Sequence, residues 1–300
     1  MRVSIGDITL WFDVLNAGLV PDGLVMREKP VLLALHGGPG YDHSLFKGVL
    51  DPLCDVAQVV MYDHRGNGRS DDGDRALWNL DRWTEDAKAF CDALGIERPV
   101  VLGWSFGGFV AQSYAARYPR EPLGLILLST APRIGFDQFG PAFERLGGPQ
   151  AKEAARRFFF EPSPEAEEEF MRVCLPLYTV RKDPYYLQYS ETRPVARMEV
   201  ARHFFADEAW RMDLRAALAE VVCPTLVING EHDPITPPEC ADELAAALAN
   251  ADVTRVTGHA SSHDLPIDEP ELFVNAVRRF VKRCTPAGGG SAEGAAAASA

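Results

Sequence analysis

The chain has 300 residues, 47% hydrophobic and 24% charged, which is the composition of an ordinary globular protein with material for a sizeable core. It excludes a mainly disordered, a collagen-like or a disulfide-stapled chain. A net charge of −13 repels phosphate backbones and anionic lipid surfaces, so neither nucleic acid nor a membrane is an expected partner.

Cysteine usage and the N-terminal residues indicate the cellular compartment of the protein. The six cysteines are scattered without a Cys-x-x-Cys pair, so they are expected to pack as small hydrophobes in a reducing environment. The N-terminal MRVSIGD has no apolar run before its first acid, unlike a signal peptide. No apolar stretch reaches the roughly 18 residues of a membrane helix. The sequence predicts a cytoplasmic protein.

Short runs rich in apolar residues recur along the chain, the one at 31–35 being fully apolar, and predict strands of a parallel sheet that helices cover on both faces. A partly alternating stretch at residues 8–14 comes first and is expected to form an antiparallel edge hairpin. The apolar runs follow at residues 31–35, 57–61, 99–102, 123–128, 225–228 and 253–256. Helix-length segments, such as residues 80–94 and 106–118, lie between them. This alternation predicts an α/β fold with a mostly parallel central sheet flanked by helices.

The middle of the chain breaks this rhythm. Residues 133–210 contain no buried-strand run but show aromatic and charged helical patterns at 153–160, 164–173 and 196–210. We therefore expect a helical cap insertion at 133–210 on an α/β core formed by residues 1–132 and 211–284. The Ala, Gly and Ser residues that dominate 285–300 cannot bury enough surface to offset their ordering entropy, which predicts a flexible tail.

A candidate nucleophile lies in the sequence GWSFG at residues 103–107. This Gly-x-Ser-x-Gly pattern follows a predicted strand and precedes a predicted helix, which is the context that the motif requires. A serine hydroxyl is a weak nucleophile and must stand exposed on a sharp turn, for which the flanking glycines make room. The N-terminus of the following helix favours developing negative charge. Ser105 is therefore the predicted nucleophile.

A nucleophilic serine needs a histidine base and a carboxylate that holds the tautomer of that histidine, and in this fold they follow in the order serine, acid, histidine. Asp233 comes just after the strand predicted at 225–228, and Glu231 competes with it. His263 is favoured as the base over His259, four residues earlier. That spacing also fits zinc, but no Glu follows His259 and the Gly and Ser neighbours indicate a loop, so no metal is expected.

The HGGPG stretch at residues 36–40 leaves the end of a predicted strand, and its glycines let the backbone approach a ligand closely. Backbone N–H groups must already point at the oxygen that becomes negative in a tetrahedral intermediate. Phe106 is the first expected donor, and Gly38 or its neighbour Gly37 is the second. No Gly-Lys-Ser/Thr follows, which excludes a phosphate loop. His36 and His64 lie on turns near this site and are expected to pack there.

With these residues placed, the chain resembles an α/β-hydrolase of the proline iminopeptidase family. The matching segments are HGGPG at 36–40, DHRGNGRS at 63–70, GWSFGG at 103–108, GEHD at 230–233 with TP at 236–237, and SH at 262–263. The resemblance implies that Ser105, Asp233 and His263 are nucleophile, acid and base, and that the 63–70 loop supports the site. Trp104 and Tyr41 are the candidate substrate-binding residues.

The chain departs from the family pattern at several positions. His64 stands where the family usually has Gln, Asn67 where it has Ser or Cys, and Phe106 where it often has Trp. Peptidases of this family hold the free amine of the substrate with carboxylates, some of them from the cap. The cap here offers Glu165, Glu167, Glu168 and Glu169, but charged helix faces are usually only solvated, and Pro234 leaves no carboxylate directly after the predicted acid.

The expected function is a cofactor-free serine hydrolase that cleaves a small amide or ester through an acyl-enzyme. An aminopeptidase of the proline iminopeptidase type, which releases N-terminal residues, and a carboxylesterase or lactonase remain alternatives on the same triad. The expected partner is a small molecule or short peptide. A non-catalytic binding protein on the same scaffold is disfavoured, because every triad residue type and the glycine-rich loop are present.

Overall fold

The computed structural model describes residues 1–181 and 194–285. Within these ranges the strands are β1 (Arg2–Ser4), β2 (Thr9–Leu15), β3 (Leu19–Asp22), β4 (Val25–Glu28), β5 (Val31–Leu35), β6 (Gln58–Tyr62), β7 (Val100–Trp104), β8 (Gly124–Leu128), β9 (Thr225–Gly230) and β10 (Val253–Gly258). The helices are α1 (Leu80–Leu94), α2 (Phe106–Arg117), α3 (Phe136–Phe160), α4 (Pro164–Val173), α5 (Met198–Ala206), α6 (Glu208–Arg211), α7 (Pro238–Ala247), α8 (Leu265–Asp268) and α9 (Pro270–Cys284).

The central sheet has eight strands in the order β1-β2-β6-β5-β7-β8-β9-β10, and β3 and β4 form a separate hairpin. The six strands from β6 to β10 in this order pair in parallel, whereas β2 is antiparallel to both β1 and β6. This confirms the predicted mostly parallel sheet. The antiparallel edge hairpin predicted from residues 8–14 is also present: β2 is its inner strand, and the edge strand β1 pairs with it, with Val3 opposite Leu10.

The inner parallel strands are largely apolar because both faces of the sheet are covered there, whereas the edge strand β10 is only partly buried. Successive side chains of a strand point to opposite faces. In β5, Leu33 and Leu35 belong to the core cluster that contains residues of α1 and α2. Leu32 and Ala34 belong to the cluster on the other face, which contains residues of α9. All four side chains are fully buried.

Between β8 and β9 the regular elements of the described residues are helical, from α3 to α6 with short 3₁₀ turns. The predicted helix at 153–160 is the end of the longer α3, which begins at Phe136 and is kinked at Gly148, where φ is +76°. A bridge between Arg133 and Asp213 joins the two ends of this segment. The predicted flexible tail lies, from residue 286 on, outside the described residues. None of the described helices combines the length and apolarity needed to cross a bilayer.

Candidate active site

Ser105 lies on the sharp turn between β7 and α2. Its φ is +54° and its ψ is −117°, a sparsely populated conformation for a residue with a side chain. The turn is fixed by its own backbone, since the Ser105 N–H donates to the Leu128 carbonyl at 2.9 Å. The Ser105 carbonyl accepts hydrogen bonds of 2.8 Å from the Gly108 N–H and from the Thr130 hydroxyl. The predicted strained turn is present.

The glycines around Ser105 are required by close backbone packing. A Cβ at Gly107 would lie 2.5 Å from the carbonyl carbon of Leu35 and 2.7 Å from the carbonyl oxygen of His36. A Cβ at Gly103 would lie 2.6 Å from the Cα atom of Gly108. Both distances are far shorter than real Cβ contacts, so α2 can begin directly against β5 and β7 only with glycine at these positions.

Asp233 and His263 form a buried pair beyond the ends of β9 and β10. The His263 Nδ1 lies 2.8 Å from Asp233 Oδ2, and Asp233 is fully buried. The other hydrogen bonds of this carboxylate come from the Ile235 and Thr236 N–H groups, both at 2.9 Å, and from the Thr236 hydroxyl at 2.7 Å. Burial lowers the pKa of His263, but the charge and hydrogen bond of Asp233 outweigh burial and raise it.

The competing residues form a second, exposed pair. His259 Nδ1 lies 2.6 Å from Glu231 Oε2, and their side chains are 83% and 50% exposed. Each histidine therefore has a different carboxylate partner. Buried charge-assisted hydrogen bonds hold a tautomer far better than exposed ones, which water competes for. The geometry favours Asp233 and His263 over Glu231 and His259.

The turn that carries His263 is packed against β9 and the helical segment. A Cβ at Gly230 would lie 2.7 Å from the Ser261 carbonyl oxygen. The Ser262 hydroxyl is placed to donate to the carbonyl of His232 at 2.8 Å and to that of Leu177 at 2.6 Å. These contacts fix the backbone just before His263.

Tyr178, which sequence reasoning missed, packs edge-on against His263. The ring centroids are 4.9 Å apart and the ring planes make an angle of 68°. The Tyr178 carbonyl accepts the Asp264 N–H at 2.8 Å. Tyr178 follows α4 and is far from His263 in sequence, so the two residues meet only in the folded chain. No sequence motif indicates this contact.

The glycine-rich loop lies beside the nucleophile. A Cβ at Gly37 would lie 3.4 Å from the Ser105 Cβ. The His36 Nδ1 is 2.8 Å from the Gly37 carbonyl oxygen, and its Nε2 accepts the His64 N–H at 3.2 Å. Since the carbonyl and N–H of a trans peptide point in opposite directions, the Gly38 N–H points away from His36.

Phe106, the other predicted donor, is the first residue of α2, so its N–H has no acceptor within the helix. Its ring lies 5.5 Å from that of His64, which in turn lies 4.4 Å from the ring of His36. Both histidines are fully buried, and burial lowers the pKa of each. They pack near the site as expected, and His36 in addition orients the glycine-rich loop.

The 63–70 loop also holds the glycine-rich loop. Asn67 Oδ1 accepts the Gly40 N–H at 2.6 Å. The fully buried Asp63 accepts the N–H groups of His43 at 2.9 Å and Arg69 at 2.8 Å. These hydrogen bonds tie the chain after β6 to the chain after β5, in keeping with the supporting role that the sequence resemblance implied.

The two candidate substrate-binding residues have different environments. Trp104 is 6% exposed and packs against Phe46 with ring centroids 5.9 Å apart. Tyr41 is half-buried. Its pKa is raised by burial and by the negative charges of Glu167 and Asp264.

The structure brings Asp233 and His263 together and places Ser105 against Gly37. Among the described residues, the Ser105 hydroxyl has no hydrogen bond to His263. In apo structures such contacts are often long and tighten with substrate. The predicted residues all lie just beyond the carboxyl ends of parallel strands: Gly37 after β5, Ser105 after β7, Asp233 after β9 and His263 after β10. Open α/β sheets bind ligands at this end.

Comparison with known proteins identifies the family. The family model described as serine aminopeptidase S33 matches residues 29–271. The chain belongs to the serine aminopeptidase S33 family. It is 26% identical over 270 residues to proline iminopeptidase PfmaB of Pestalotiopsis fici, covering 86% of this chain and 93% of that protein.

Solved structures of a proline iminopeptidase and of an enol-lactonase share the fold. The proline iminopeptidase of Mycobacterium smegmatis superposes with a TM-score of 0.73 at 23% identity, covering 95% of this chain and 98% of that one. The enol-lactonase of Burkholderia xenovorans superposes with a TM-score of 0.72 at 22% identity, covering 94% and 100%. The chain has the α/β-hydrolase fold and is a serine hydrolase of the S33 family.

Proposed function

We propose that Ser105, His263 and Asp233 hydrolyse a small amide or ester through an acyl-enzyme. The observation that carries this proposal is the buried 2.8 Å hydrogen bond between Asp233 and His263. The pair lies at the carboxyl end of the parallel strands, as Ser105 does. The hydrogen bond keeps the proton on Nδ1, so Nε2 is the basic nitrogen.

The proposed reaction has two steps. Ser105 Oγ forms a bond to the substrate carbonyl carbon while its proton passes to His263 Nε2. The tetrahedral intermediate collapses as the bond to the leaving oxygen or nitrogen breaks, and that atom takes the proton from His263. Water then attacks the acyl-enzyme, gives one proton to His263, and the acid leaves as Ser105 regains its proton.

The negative oxygen of each intermediate is proposed to accept hydrogen bonds from the N–H groups of Phe106 and Gly38. Phe106 supports this role because its N–H has no helical partner. The hydrogen bond between His36 and the Gly37 carbonyl supports the role of Gly38, because it fixes the peptide group that carries the Gly38 N–H; the Gly37 N–H is the alternative donor. The proposed site uses no cofactor or metal.

The first candidate substrate is a peptide-like amide from which an N-terminal residue is released. It is supported by relatives over most of the chain that are named proline iminopeptidases, PfmaB among them.

We also propose that residues 133–210 form a cap over a core of residues 1–132 and 211–284, so that the cap shapes the substrate site. A small-molecule or short-peptide substrate and a cytoplasmic location complete the proposal.

The second candidate is a carboxylic ester or lactone, and the charges of the cap favour it. Glu167 pairs with Arg202 at 3.3 Å, and Glu169 pairs with Arg157 at 2.8 Å. A carboxylate that is already paired binds a substrate ammonium poorly, because the arginine competes for it. These two acids are therefore weak candidates for an amine site.

A substrate panel separates the two candidates. Purified enzyme and Ser105→Ala are assayed with prolyl and alanyl nitroanilides, nitrophenyl acetate and butyrate, and acyl lactones. Hydrolysis of anilides supports the aminopeptidase, whereas hydrolysis of esters or lactones alone removes that candidate. Activity that survives in Ser105→Ala at a tenth of the wild-type rate would refute the proposed nucleophile, since its loss is expected to lower kcat by about 10⁶-fold.

A further inference from the structure

A segment of the proposed cap is hydrogen-bonded to the turn that carries His263. The Ser262 hydroxyl is placed to donate to the Leu177 carbonyl at 2.6 Å, and the Asp264 N–H donates to the Tyr178 carbonyl at 2.8 Å. Ser262 and Asp264 are the two neighbours of His263 in the chain. The backbone that carries the imidazole is therefore held on both sides by residues 85 positions or more away in sequence.

The carboxylate of Asp268 joins the same two segments a second time. Its Oδ2 accepts the Ser262 N–H at 2.8 Å. Its Oδ1 accepts the Thr179 hydroxyl, and the Val180 N–H lies 3.2 Å from each of the two oxygens. An ionised carboxylate has no proton to donate but can accept several hydrogen bonds at once. One side chain thus ties the residue before His263 to two consecutive residues of the proposed cap.

The surroundings of the Thr179 hydroxyl determine its direction. The side chain is buried, and its oxygen accepts the Arg181 N–H at 3.0 Å. Because a hydroxyl can accept and donate at the same time, its proton remains available for Asp268. The Arg181 side chain in turn donates to the Ile267 carbonyl at 3.0 Å. Thr179 therefore lies where this part of the proposed cap is fixed to the chain that follows His263.

The neighbouring acid, Glu269, supports the turn from within. Its Oε2 accepts the Ala260 N–H at 3.0 Å and also accepts the Ser261 hydroxyl. Both partners precede His263 in the same turn. Glu269 thus holds the turn through the turn's own residues, whereas Asp268 holds it together with the proposed cap. We therefore expect loss of the Asp268 contacts to displace the turn without unfolding it.

We propose that Thr179 and Asp268 are positioning residues, which hold His263 in its working place by tying the proposed cap to the turn that carries it. This proposal rests on the proposed hydrolase function and adds two residues that act through the base, without contact to the substrate. A displacement of about 1 Å in a reacting group can lower the rate by about 10²-fold. The tie therefore acts on the chemical step, and a displacement of residues 177–180 is passed on to the base.

Four variants and one matched control test the tie. Thr179→Val removes the hydroxyl and keeps the branched shape of the side chain, whereas Thr179→Ser keeps the hydroxyl. Asp268→Ala removes the acceptor, and a double variant combines it with Thr179→Val. Thr84→Val is the matched control, because Thr84 in α1 is also buried and its hydroxyl donates to the Leu80 carbonyl at 2.7 Å.

Each enzyme is titrated to completion with a fluorophosphonate, so that kcat is expressed per functional site, and urea unfolding is measured in parallel. With the best substrate of the panel, kcat should fall by about 10²-fold in Asp268→Ala and about tenfold in Thr179→Val, with KM changed by less than about twofold. Thr179→Ser should stay within about threefold of wild type, and Thr84→Val should match wild type per site despite a lower urea midpoint. The double variant should match Asp268→Ala, because the hydroxyl has already lost its acceptor.

A purely structural role would lower the urea midpoint but leave kcat per titrated site unchanged. If Thr179→Val and Asp268→Ala keep kcat within about twofold of wild type, if their loss falls on KM alone, or if Thr179→Ser loses as much as Thr179→Val, the positioning role is overturned. Should Asp268→Ala fail to fold, the comparison of the two Thr179 variants decides.

These results leave the hydrolase function intact as long as the wild-type activity depends on Ser105. If the wild type hydrolyses no member of the panel, or Ser105→Ala hydrolyses it equally well, the proposed function fails and the positioning role fails with it.

Discussion

Replacing Asp233 by asparagine tests the proposed roles of the acid and the base together. Asp233 Oδ1 accepts two backbone N–H groups, and Oδ2 accepts the Thr236 hydroxyl and His263 Nδ1. Asparagine has one oxygen and one NH₂ group in these positions. If its NH₂ replaces Oδ2, two hydrogen-bond donors, this NH₂ and the Nδ1–H of His263, face each other. If its NH₂ replaces Oδ1, it opposes the two backbone N–H groups.

The structure therefore indicates which tautomer the variant adopts. Keeping the oxygen on the two backbone donors turns the NH₂ toward His263, so Nδ1 must accept and the proton moves to Nε2. An Nε2 that carries the proton cannot take one from Ser105. We expect kcat to fall by ~10⁴-fold, equivalent to ~5.4 kcal/mol of lost transition-state stabilisation, with little change in the fold.

The assay is steady-state hydrolysis of the best substrate from the panel, with circular dichroism to confirm folding. Glu231→Gln is the matched control, because it makes the same chemical change in the exposed pair with His259. An exposed pair contributes little, so this variant should stay within about twofold of wild type. If Asp233→Asn keeps more than about a tenth of the activity, or if Glu231→Gln is the more damaged, the assignment of the acid is wrong.

Three further predictions concern pH and packing. Because its partner carboxylate raises the pKa of His263 despite burial, and the neutral ring is the working form, kcat/KM should rise with pH through a midpoint above about 6.5; a midpoint below about 6 would contradict this. Burial lowers the pKa of His43, but Asp63 and Asp13 raise it overall. The charged imidazole therefore stabilises the folded protein fully below about pH 6.5, and this contribution is lost as pH rises through the folded-state pKa. Urea titration should therefore find a larger difference in unfolding free energy between wild type and His43→Gln at about pH 6 than at about pH 9, and an equal difference would refute it. Gly107→Ala places a Cβ 2.5 Å from a main-chain carbonyl carbon of β5 and should lower the unfolding free energy by about 3 kcal/mol or more, so an unchanged urea midpoint would contradict the packing described.

The inner parallel strands could be predicted because they are buried on both faces and so read as largely apolar runs. The β3–β4 hairpin could not. It turns at Gly23 and Leu24 and is exposed on both sides, with Leu24 entirely in solvent. A strand that buries neither face has no apolar pattern to reveal it.

The length of α3 was also beyond prediction. Pro141 and Pro149 lie within it, and Gly148 has a positive φ. These residues ordinarily end a helix. Proline is well tolerated in the first turn after a break, so the second half of α3 starts at Pro149 and packs against the first through the aromatic rings of Phe139 and Phe159, whose centroids are 5.0 Å apart.

In the candidate site, the motifs and the order of residue types predicted Ser105, an acid and a base. Which carboxylate pairs with which histidine depends on burial, and Asp233 and Glu231 are only two residues apart. Local sequence does not determine how deeply each is buried. Tyr178 lay further beyond prediction, because its contact with His263 depends on how segments distant in sequence pack together.

The central claim is that the Ser105 hydroxyl is activated by His263. Incubation with a fluorophosphonate, followed by intact mass measurement and peptide mapping, tests it most directly. We predict one phosphonyl group per chain, located on Ser105, with labelling slowed by orders of magnitude in His263→Ala and unchanged within about twofold in His259→Ala. Labelling at another residue, or equal labelling rates in the two histidine variants, would contradict the claim.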